Sequence, residues 1–440
     1  PAAGTATGQG FDIPANSQRP EKVINDMSGK IILGDRTIAT PDMLARAARA
    51  ATGLNSLVDV GEGDTVAILM RNDYPFLEAT FAADFLGAYA VPVNWHFKDE
   101  EIAHILTDAG ADVLVLHADL LAGLDLSVMP AGLKLLVAAT PPELQSAYGI
   151  DAGKCDVPHD QVNWSEWLEA FEPWSAPPPA QRSSMIYTSG TTGRPKGVML
   201  SADNFIESSL RLSDMENLTS KEEIICYTPM AWVGDHLFIV QAITSGFTIN
   251  CPESGETVLS DLREIGPTCY FSPSANFESL LTSMMIRMEN AGVVKRTMFN
   301  YFISIAKRVG VDILEGRPVS FLDRLLYRLG DFCVYGPLRN NLGLSRVRVA
   351  YTAGAPLGPE VFNFFRGIGI NLKQLYGQTE CTAYACIQRD GDVRPDTVGP
   401  PAEDCDVKID ANGEILLKGP GNFIGYLKND AATNETRDAD

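Results

Sequence analysis

The order of apolar and polar positions predicts alternating strands and helices in the first part of the chain. An apolar run over 65–70 (TVAILM) is typical of a buried strand, and a second one covers 113–116 (VLVL). Between them, apolar residues recur at helical spacing over 74–90 and again over 100–109. Because strands that alternate with helices pair in parallel, this pattern predicts a parallel sheet covered by helices.

Two changes in texture suggest where the chain divides. The proline-rich segment 172–181 (EPWSAPPPAQ) is typical of a linker, and an α/β pattern resumes at 184. After 391, short runs at 407–409 and 414–418 flank Asn412-Gly413, which predicts a hairpin with a two-residue turn. We therefore predict an α/β fold of two parallel-rich sheets flanked by helices in layers, with a small β-barrel-like subdomain. The predicted boundaries are 1–180, 181–390 and 391–440.

Composition narrows the class of protein. The 440 residues include 35 basic and 56 acidic side chains, giving a formal charge of −21, which argues against a nucleic-acid partner. Hydrophobic residues make up 45%, but no apolar run is long enough to predict a transmembrane helix. The eight cysteines form no C-x-x-C pair, so we expect reduced thiols and a cytoplasmic location.

The segment 187–197 (YTSGTTGRPKG) has the composition of a loop that binds phosphate. It follows an apolar strand start, its glycines let backbone N–H groups approach an anion, and Lys196 adds a positive charge. It does not fit the Walker pattern, because Pro195 stands where that pattern needs its second glycine. The candidate phosphate-binding residues are Thr188, Ser189, Gly190, Thr191, Thr192, Gly193 and Lys196.

This loop resembles the signature of the acyl-adenylate-forming enzymes, which include acyl-CoA synthetases, luciferases and peptide-synthetase adenylation domains. Two later segments, 351–357 (YTAGAPL) and 375–380 (LYGQTE), resemble the family's adenine-site turn and its next motif, in the family's order. The resemblance implies that Tyr376 stacks on adenine, Thr379 contacts the α-phosphate and Glu380 binds Mg²⁺. The second metal ligand would be the hydroxyl of Ser189 or of Thr188. The other residues implied to bind the nucleotide are Gly354, Ala355, Pro356, Gln374 and Gly377.

The resemblance implies a two-step reaction with ATP, Mg²⁺ and coenzyme A. A carboxylate attacks the α-phosphate of ATP and releases pyrophosphate, and a thiolate then displaces AMP. Such chemistry depends on positioning and charge stabilisation, and it needs no nucleophile from the protein. The candidate catalytic residues are Thr188, Lys196, Thr379 and Glu380.

The acyl substrate is suggested by three further segments. Residues 227–236 resemble a motif whose aromatic or histidine residue lines the acyl site; Trp232 takes that place beside Val233, although Trp232 could also be an ordinary core residue. Residues 266–273 resemble the strand before an acyl-pocket helix, and Ser272 departs from the commoner form there. A helical insertion over about 276–345 resembles the long-chain fatty acyl-CoA synthetase branch, which implies a bulky hydrophobic carboxylate.

The insertion is also positively charged. Eight basic and four acidic residues lie between 281 and 330, so this stretch carries about +4 within a −21 protein. A basic amphipathic helix pair would suit peripheral contact with an anionic membrane. Ordinary solvated helix faces are the alternative.

The resemblance covers only the family's large N-terminal domain. The family's ribose-binding Asp, hinge and C-terminal domain with its adenylation Lys would follow Asp440, so we expect a chain cut before that domain, needing it in cis. Such a chain is expected to bind ATP but turn over poorly. Two alternatives stay open. One is a fatty-acyl-AMP ligase that passes its acyl group to a carrier protein, and the other is a non-catalytic nucleotide- or lipid-binding module.

Overall fold

The computed structural model describes residues 28–177, 183–188 and 195–437. The strands in these ranges are β1 (Lys30–Leu33), β2 (Arg36–Ala39), β3 (Thr65–Leu69), β4 (Tyr89–Pro92), β5 (Val113–His117), β6 (Lys134–Ala138), β7 (Val162–Asn163), β8 (Ser183–Thr188), β9 (Lys196–Ser201), β10 (Glu223–Ile225), β11 (Thr248–Cys251), β12 (Cys269–Pro273), β13 (Val349–Ala353), β14 (Leu372–Tyr376), β15 (Cys386–Ile387), β16 (Asp406–Ile409), β17 (Ile415–Lys418) and β18 (Gly425–Tyr426).

The helices in the same ranges are α1 (Thr40–Val58), α2 (Tyr74–Leu86), α3 (Asp99–Ala109), α4 (Ala118–Leu121), α5 (Pro142–Tyr148), α6 (Trp164–Leu168), α7 (Ala202–Met215), α8 (Val233–Ser245), α9 (Val258–Ile265), α10 (Ser274–Glu289), α11 (Val293–Ile305), α12 (Val311–Leu314), α13 (Phe321–Gly330), α14 (Gly336–Asn341), α15 (Pro359–Gly367) and α16 (Asp430–Glu435). Short 3-10 and π-helical turns lie between some of them.

The chain divides into two compact units. Among the described residues, the first unit contains those up to 221, together with 226–255 and 421–437. The second contains 222–225 and 256–420. This division does not follow the expected boundaries near 180 and 390, because β8 pairs with β4 inside the first unit. The three-part organisation stays a prediction.

The first unit is built around a sheet with the strand order β18-β9-β8-β4-β3-β5-β6-β7. From β8 to β7 every neighbouring pair is parallel, and β9 and β18 add antiparallel pairs at the other edge. The strands β3 and β5 are buried along their whole length, as the continuous apolar runs predict. The parallel sheet covered by helices is thus confirmed. A second, smaller sheet pairs β1 with β11 in parallel and with β2 in antiparallel.

One predicted helix is shorter than expected. Helix α2 begins after Asp73, whose carboxylate accepts a hydrogen bond from the N–H of Tyr74, and it ends at Leu86. Gly87 then adopts a left-handed conformation (φ 70°), which turns the chain out of the helix. The helix predicted over 74–90 was therefore too long, since Tyr89 and Ala90 belong to β4.

The second unit contains a sheet with the order β12-β13-β14-β15. Its first three strands are parallel, and β15 is antiparallel to β14. Helices α10 to α15 belong to this unit and include the predicted helical tract, which breaks between Glu289 and Val293 and again before Phe321. The predicted layered α/β fold with parallel-rich sheets is confirmed.

The tail after 391 differs from its prediction. Strands β16 and β17 form the expected hairpin, but Ile409 pairs with Ile415, and Gly413 (φ 88°) donates its N–H to Asp410. The turn is therefore longer than two residues, because Gly413 adds a left-handed residue after it. Within the described part of this tail the strands form a hairpin, β18 joins the large sheet and α16 follows. The barrel-like subdomain stays a prediction.

Two further findings concern the cysteines and the predicted lack of a transmembrane helix. All eight cysteines lie in the described ranges, and none of them forms a disulfide; six are buried. In the ranges that the structure describes, we find no helix both long and apolar enough to cross a bilayer.

Candidate functional site

The predicted phosphate loop joins two paired strands of the first unit. Thr188 ends β8 and Lys196 begins β9, and the two residues face each other in the antiparallel register. One step further in, Tyr187 pairs with Gly197, where a Cβ atom would lie only 2.9 Å from the sulfur of Met185. Gly197 is therefore needed for packing at the base of the loop.

Side chains from α3 hold both ends of this loop. The hydroxyl of Tyr187 donates a 2.8 Å hydrogen bond to Asp108, and burial together with this bond raises the pKa of the phenol. On the other strand, the Nε2 of His104 donates to the carbonyl of Pro195 at 3.2 Å. These contacts fix the backbone at the points where the loop leaves and re-enters the sheet.

The cation of the loop has an aromatic neighbour. The Lys196 side chain is exposed, and its Nζ lies 5.6 Å from the centroid of the Tyr426 ring. Tyr426 belongs to β18, which pairs with β9. The remaining predicted phosphate ligands lie outside the described residues: Ser189, Gly190, Thr191, Thr192 and Gly193.

The predicted acyl-site motif lies at the start of α8 in the first unit. Trp232 is the residue before the helix, and its N–H donates to Pro229 in a turn. The Trp232 side chain is 47% exposed and Val233 is partly exposed, so the interpretation of Trp232 as an ordinary core residue is wrong. Asn72 supports the motif because its amide donates to the carbonyls of Cys226 and Thr228.

Two buried polar residues follow directly in α8. Asp235 accepts a hydrogen bond from the Thr228 hydroxyl, and burial raises the pKa of its carboxyl to about 7. Burial lowers the pKa of His236 to about 4, and its ring packs 4.7 Å from that of Phe205. The burial of Asp235 and His236 was not predicted, since a sequence pattern does not show which polar residues of a helix face inward.

In the second unit, three polar residues form a buried row across the parallel strands. Ser272 on β12 is in register with Thr352 on β13, which is in register with Gln374 on β14. Gln374 donates to the carbonyls of Pro395 and Thr397, and it accepts from the N–H of Leu357. The Gln374 amide therefore positions the turn that follows β13; its predicted contact with nucleotide stays a prediction.

The predicted adenine-site turn is exposed and held from below. Gly354, Ala355 and Pro356 are exposed, whereas Leu357 is buried. The hydroxyl of Ser274 donates to the carbonyl of Ala355. Gly354 has φ 87°, and a Cβ atom there would meet nothing within 4 Å, so open space lies beside this backbone. A flat ring can approach such a turn closely.

The following motif begins where β14 ends. The Tyr376 ring is partly buried, which raises the pKa of its hydroxyl. Thr379 and Glu380 lie in a 3-10 turn and are both partly exposed. At Gly377 a Cβ atom would lie 2.2 Å from the carbonyl carbon of Ala383, so only glycine fits this backbone.

The same loop contains two strained residues. Thr382 and Ala383 have φ values of 54° and 56°, in the left-handed region that side chains other than glycine rarely adopt. Backbone hydrogen bonds from their N–H groups to Thr379 and Gln378 hold this conformation. Strain of this kind clusters at ligand-binding loops, and no sequence signal marks it because neither residue is glycine.

These residues fit a nucleotide with a hard cation. The 354–356 turn and the Tyr376 ring are suited to a purine, and the Glu380 carboxylate has the chemistry of an oxygen ligand for a hard cation. In the described residues no cluster of three His, Cys, Asp or Glu side chains could hold a metal ion. Mg²⁺ is usually bound by one or two protein ligands together with phosphate oxygens and water. A cation here would therefore combine Glu380 with phosphate oxygens and water, and the second protein ligand, Ser189 or Thr188, stays a prediction.

Each unit brings some predicted residues together. In the first, Thr188 and Lys196 are paired, and Trp232 adjoins Val233. In the second, Ser272 and Gln374 belong to one row of polar residues across the sheet. Tyr376 ends the strand that carries Gln374, and Thr379 and Glu380 follow it in a 3-10 turn. The sequence did not indicate the supporting residues His104, Asp108, Ser274 and Tyr426, whose roles depend on contacts far along the chain.

Comparison with known proteins agrees with the fold and the motifs. Residues 16–427 match the AMP-binding enzyme family, a range that includes all three motifs. The long-chain-fatty-acid--CoA ligase FadD15 of Mycobacterium bovis is 31% identical over 396 residues, covering 88% of this chain and 63% of FadD15. The peroxisomal long chain acyl-CoA synthetase 7 of Arabidopsis thaliana is 28% identical over 63% of this chain and 40% of its own length.

Solved structures share the fold at low sequence identity. The anthranilate CoA ligase AuaEII with anthranoyl-AMP has a TM-score of 0.69 at 17% identity, covering 93% of this chain and 69% of that chain. The N-terminal domain of FACL13 from Mycobacterium tuberculosis has a TM-score of 0.63 at 18% identity, covering 94% and 91%. The chain belongs to the AMP-binding enzyme family. It spans about 63% of the length of FadD15.

Proposed function

We propose that this protein activates a long-chain or similarly bulky hydrophobic carboxylic acid with ATP and transfers the acyl group to coenzyme A. The observation that carries the proposal is the 31% identity to a long-chain-fatty-acid--CoA ligase over 88% of the chain. The products would be acyl-CoA, AMP and pyrophosphate.

The proposed reaction has two displacements. In the first, a carboxylate oxygen attacks the α-phosphorus of ATP, the bond from that phosphorus to the bridging oxygen breaks, and pyrophosphate leaves. In the second, the coenzyme A thiolate attacks the acyl carbon and the bond to AMP breaks. Mg²⁺, when bound, supplies charge neutralisation at the phosphates.

The described residues suit the binding and orientation that these steps need. Lys196 presents an exposed cation at the end of the phosphate loop, and the neighbouring Thr188 hydroxyl can donate to a phosphate oxygen. In the second unit, Tyr376 and the 354–356 turn would bind adenine, while Thr379 would donate to the α-phosphate. Glu380 would hold the cation, and the second metal ligand would be Ser189 or Thr188.

The proposed acyl substrate follows from the similarity to long-chain-fatty-acid--CoA ligases and from the exposed side chain of Trp232. Trp232 is exposed at the start of α8, where an aromatic ring can line a pocket for an apolar chain. Val233 and Ser272 are proposed as further lining residues. The same proposal includes a cytoplasmic location and contact of residues 281–330 with a membrane. It also includes the need for a C-terminal domain in cis, and therefore slow turnover by these 440 residues alone.

An acid panel tests the proposal. The chain, joined in cis to a C-terminal domain of the family, is incubated with ATP, Mg²⁺ and short, long, aromatic or polycyclic acids, and acid-dependent pyrophosphate exchange is measured. We expect the largest exchange with long-chain acids and little with Lys196→Ala. A preference for aromatic or short acids would overturn the assigned substrate class. ATP binding without exchange for any acid would favour the non-catalytic module instead.

The acyl acceptor needs a separate measurement. Loaded with acyl-AMP, the protein is given either coenzyme A or a carrier protein that bears a phosphopantetheine arm. Faster acyl transfer to coenzyme A supports the proposal. Faster transfer to the carrier protein identifies a fatty-acyl-AMP ligase.

A further inference from the structure

Helix α13 and the turn after it carry large apolar side chains on one face. Phe321 and Phe332 are 84% and 83% exposed, and Leu322, Leu325 and Leu329 are each at least half exposed. Spacings of three and four residues from Leu322 to Phe332 place these side chains along one side of the helix. We call these five residues the α13 apolar face.

The opposite side of the helix is firmly packed. Tyr327 is buried, and its hydroxyl donates a 2.9 Å hydrogen bond to the carbonyl of Gly367. A Cβ atom at Gly330 would lie 2.7 Å from the Tyr335 ring. The orientation of α13 is therefore set by close packing, and its apolar face is turned to solvent by that packing. An exposed apolar stripe of this size usually marks an interaction surface.

The neighbouring helix adds to the same kind of surface. Helix α11 packs against α13, and its first residues Val293 and Val294 are 69% and 83% exposed. Tyr301 on the same helix is also more than half exposed. Tyr side chains with an apolar ring and a polar hydroxyl suit a boundary between lipid and water.

The charges around these helices are mostly unpaired cations. Of the four acids between 281 and 330, Asp312, Glu315 and Asp323 each form an ion pair with an arginine. These pairs use Arg308 and Arg317 of the eight basic residues. In this fully described stretch the cations outside ion pairs are Arg287, Lys295, Arg296, Lys307, Arg324 and Arg328, and the one acid left is Glu289.

We propose that the α13 apolar face, with the first turn of α11, binds the surface of an anionic phospholipid bilayer. The apolar side chains would enter the boundary between headgroups and acyl chains, and the flanking cations would attract the anionic headgroups. The rest of this −21 protein is repelled by such a surface, so the attraction is local to these helices.

A second copy of the chain is a poorer partner for this surface. In a twofold symmetric dimer the same patch meets itself, so the six unpaired cations would face six others. An anionic bilayer has the complementary charge. This inference rests on the membrane contact proposed above for residues 281–330 and names the surface that makes it. Its test is separate from that of the enzymatic activity, because binding is measured without ATP or a fatty acid.

Vesicle sedimentation tests the proposal with two variants of the whole chain. Vesicles are phosphatidylcholine with or without about 30% phosphatidylglycerol. We expect binding to the anionic vesicles that falls when NaCl rises from about 0.05 to about 0.5 M. Lys295→Glu with Arg324→Glu and Arg328→Glu should lower the partition coefficient at least tenfold, since each lost cation contributes about fivefold. Leu322→Ser with Leu325→Ser and Phe332→Ser should lower it by a similar factor.

Matched controls separate a local surface from general effects. Ile409→Ser with Lys408→Glu removes an exposed apolar residue and a cation from the β16–β17 hairpin and should bind as the unchanged chain does. Arg324→Lys with Arg328→Lys keeps the charge and should also bind normally. Because all substituted residues are exposed, unchanged melting temperatures are expected. If the charge-reversed or the serine variant binds anionic vesicles as well as the unchanged chain does, the proposal is overturned. It is also overturned if light scattering shows that the unchanged chain is a dimer and that the same substitutions make it a monomer.

Discussion

The ammonium nitrogen of Lys196 lies 5.6 Å from the centroid of the Tyr426 ring, so a residue near the end of the described chain contacts the cation of the phosphate loop. The contact arises because β18 pairs with β9, with Tyr426 in register with Val198. An aromatic face within about 6 Å attracts a cation and limits where it can move. Tyr426 is thus a positioning residue for Lys196 at the base of the loop.

Replacing Lys196 by alanine should weaken ATP binding. The loss of a charge-assisted contact to phosphate costs about 1.5–3 kcal/mol, or roughly 10- to 150-fold in Kd. Isothermal titration calorimetry with ATP and Mg²⁺ measures the change. Lys408→Ala, on the exposed β16–β17 hairpin, is the matched control and should leave Kd unchanged. ATP affinity that stays the same in Lys196→Ala would remove this loop from the nucleotide site.

Gly377→Ala and Gly354→Ala should differ in their effect on stability. A Cβ at Gly377 would lie 2.2 Å from the Ala383 backbone, so the loop must shift, at a cost of about 1–3 kcal/mol or more. At Gly354 the space is open and only the left-handed backbone (φ 87°) opposes a side chain, which costs about 1–2 kcal/mol. Urea unfolding measures both, and ATP titration shows whether the shifted loop still binds. A smaller loss of stability at Gly377 than at Gly354 would contradict the packing argument.

The sequence predicted the strands that carry the site better than the contacts that shape it. The runs 65–70 and 113–116 are strands because a fully buried parallel strand must be apolar on both faces. The motifs at 187–197, 351–357 and 375–380 could be placed at the ends of strands from the sequence, because each begins in or directly after a strand-like run. The length of α2 was misjudged because Gly87, and not a change in hydrophobicity, ends it.

Long-range contacts account for what was missed. The pairing of β18 with β9 joins residues more than two hundred positions apart, and two residues of β18 carry no pattern of their own. The strain at Thr382 and Ala383 is set by hydrogen bonds to Gln378 and Thr379, which periodicity does not reveal. The sequence predicted that this region forms amphipathic helices, but not that the apolar face of α13 is exposed, since an amphipathic pattern does not tell whether the apolar face is buried.

Replacing Glu380 by glutamine should weaken the dependence of ATP binding on Mg²⁺. The amide keeps the shape of the side chain but removes the negative charge that a hard cation prefers. We expect the gain in ATP affinity on adding Mg²⁺ to shrink, while affinity without Mg²⁺ changes little. Titrations with Mg²⁺ and with EDTA measure the two values. Glu403→Gln, at an exposed position of the same unit, is the control. A full Mg²⁺ effect in Glu380→Gln would exclude this carboxylate as the ligand.

Asp235→Asn should stabilise the protein more at pH 8 than at pH 4.5. Burial raises the folded-state pKa of Asp235 to about 7 from an ordinary value of 3.8, so the folded chain binds this proton more tightly than the unfolded chain does. The carboxyl therefore lowers stability as pH rises through the interval between these two values, and the cost is nearly complete at pH 8. Asparagine carries no charge and removes this term.

The pH dependence distinguishes this effect from the lost contact with Thr228. Losing part of that hydrogen bond changes stability by the same amount at both pH values, whereas the ionisation term makes the variant gain about 3 kcal/mol relative to the unchanged chain between pH 4.5 and 8. His236 acts in the opposite direction, since burial lowers its pKa to about 4 and it favours the folded state as pH rises from 4 to 6.5. That contribution is present in both proteins and cancels in their difference. Urea unfolding of both chains at the two pH values measures the difference, and equal values would mean that Asp235 ionises in the folded protein as readily as in the unfolded one.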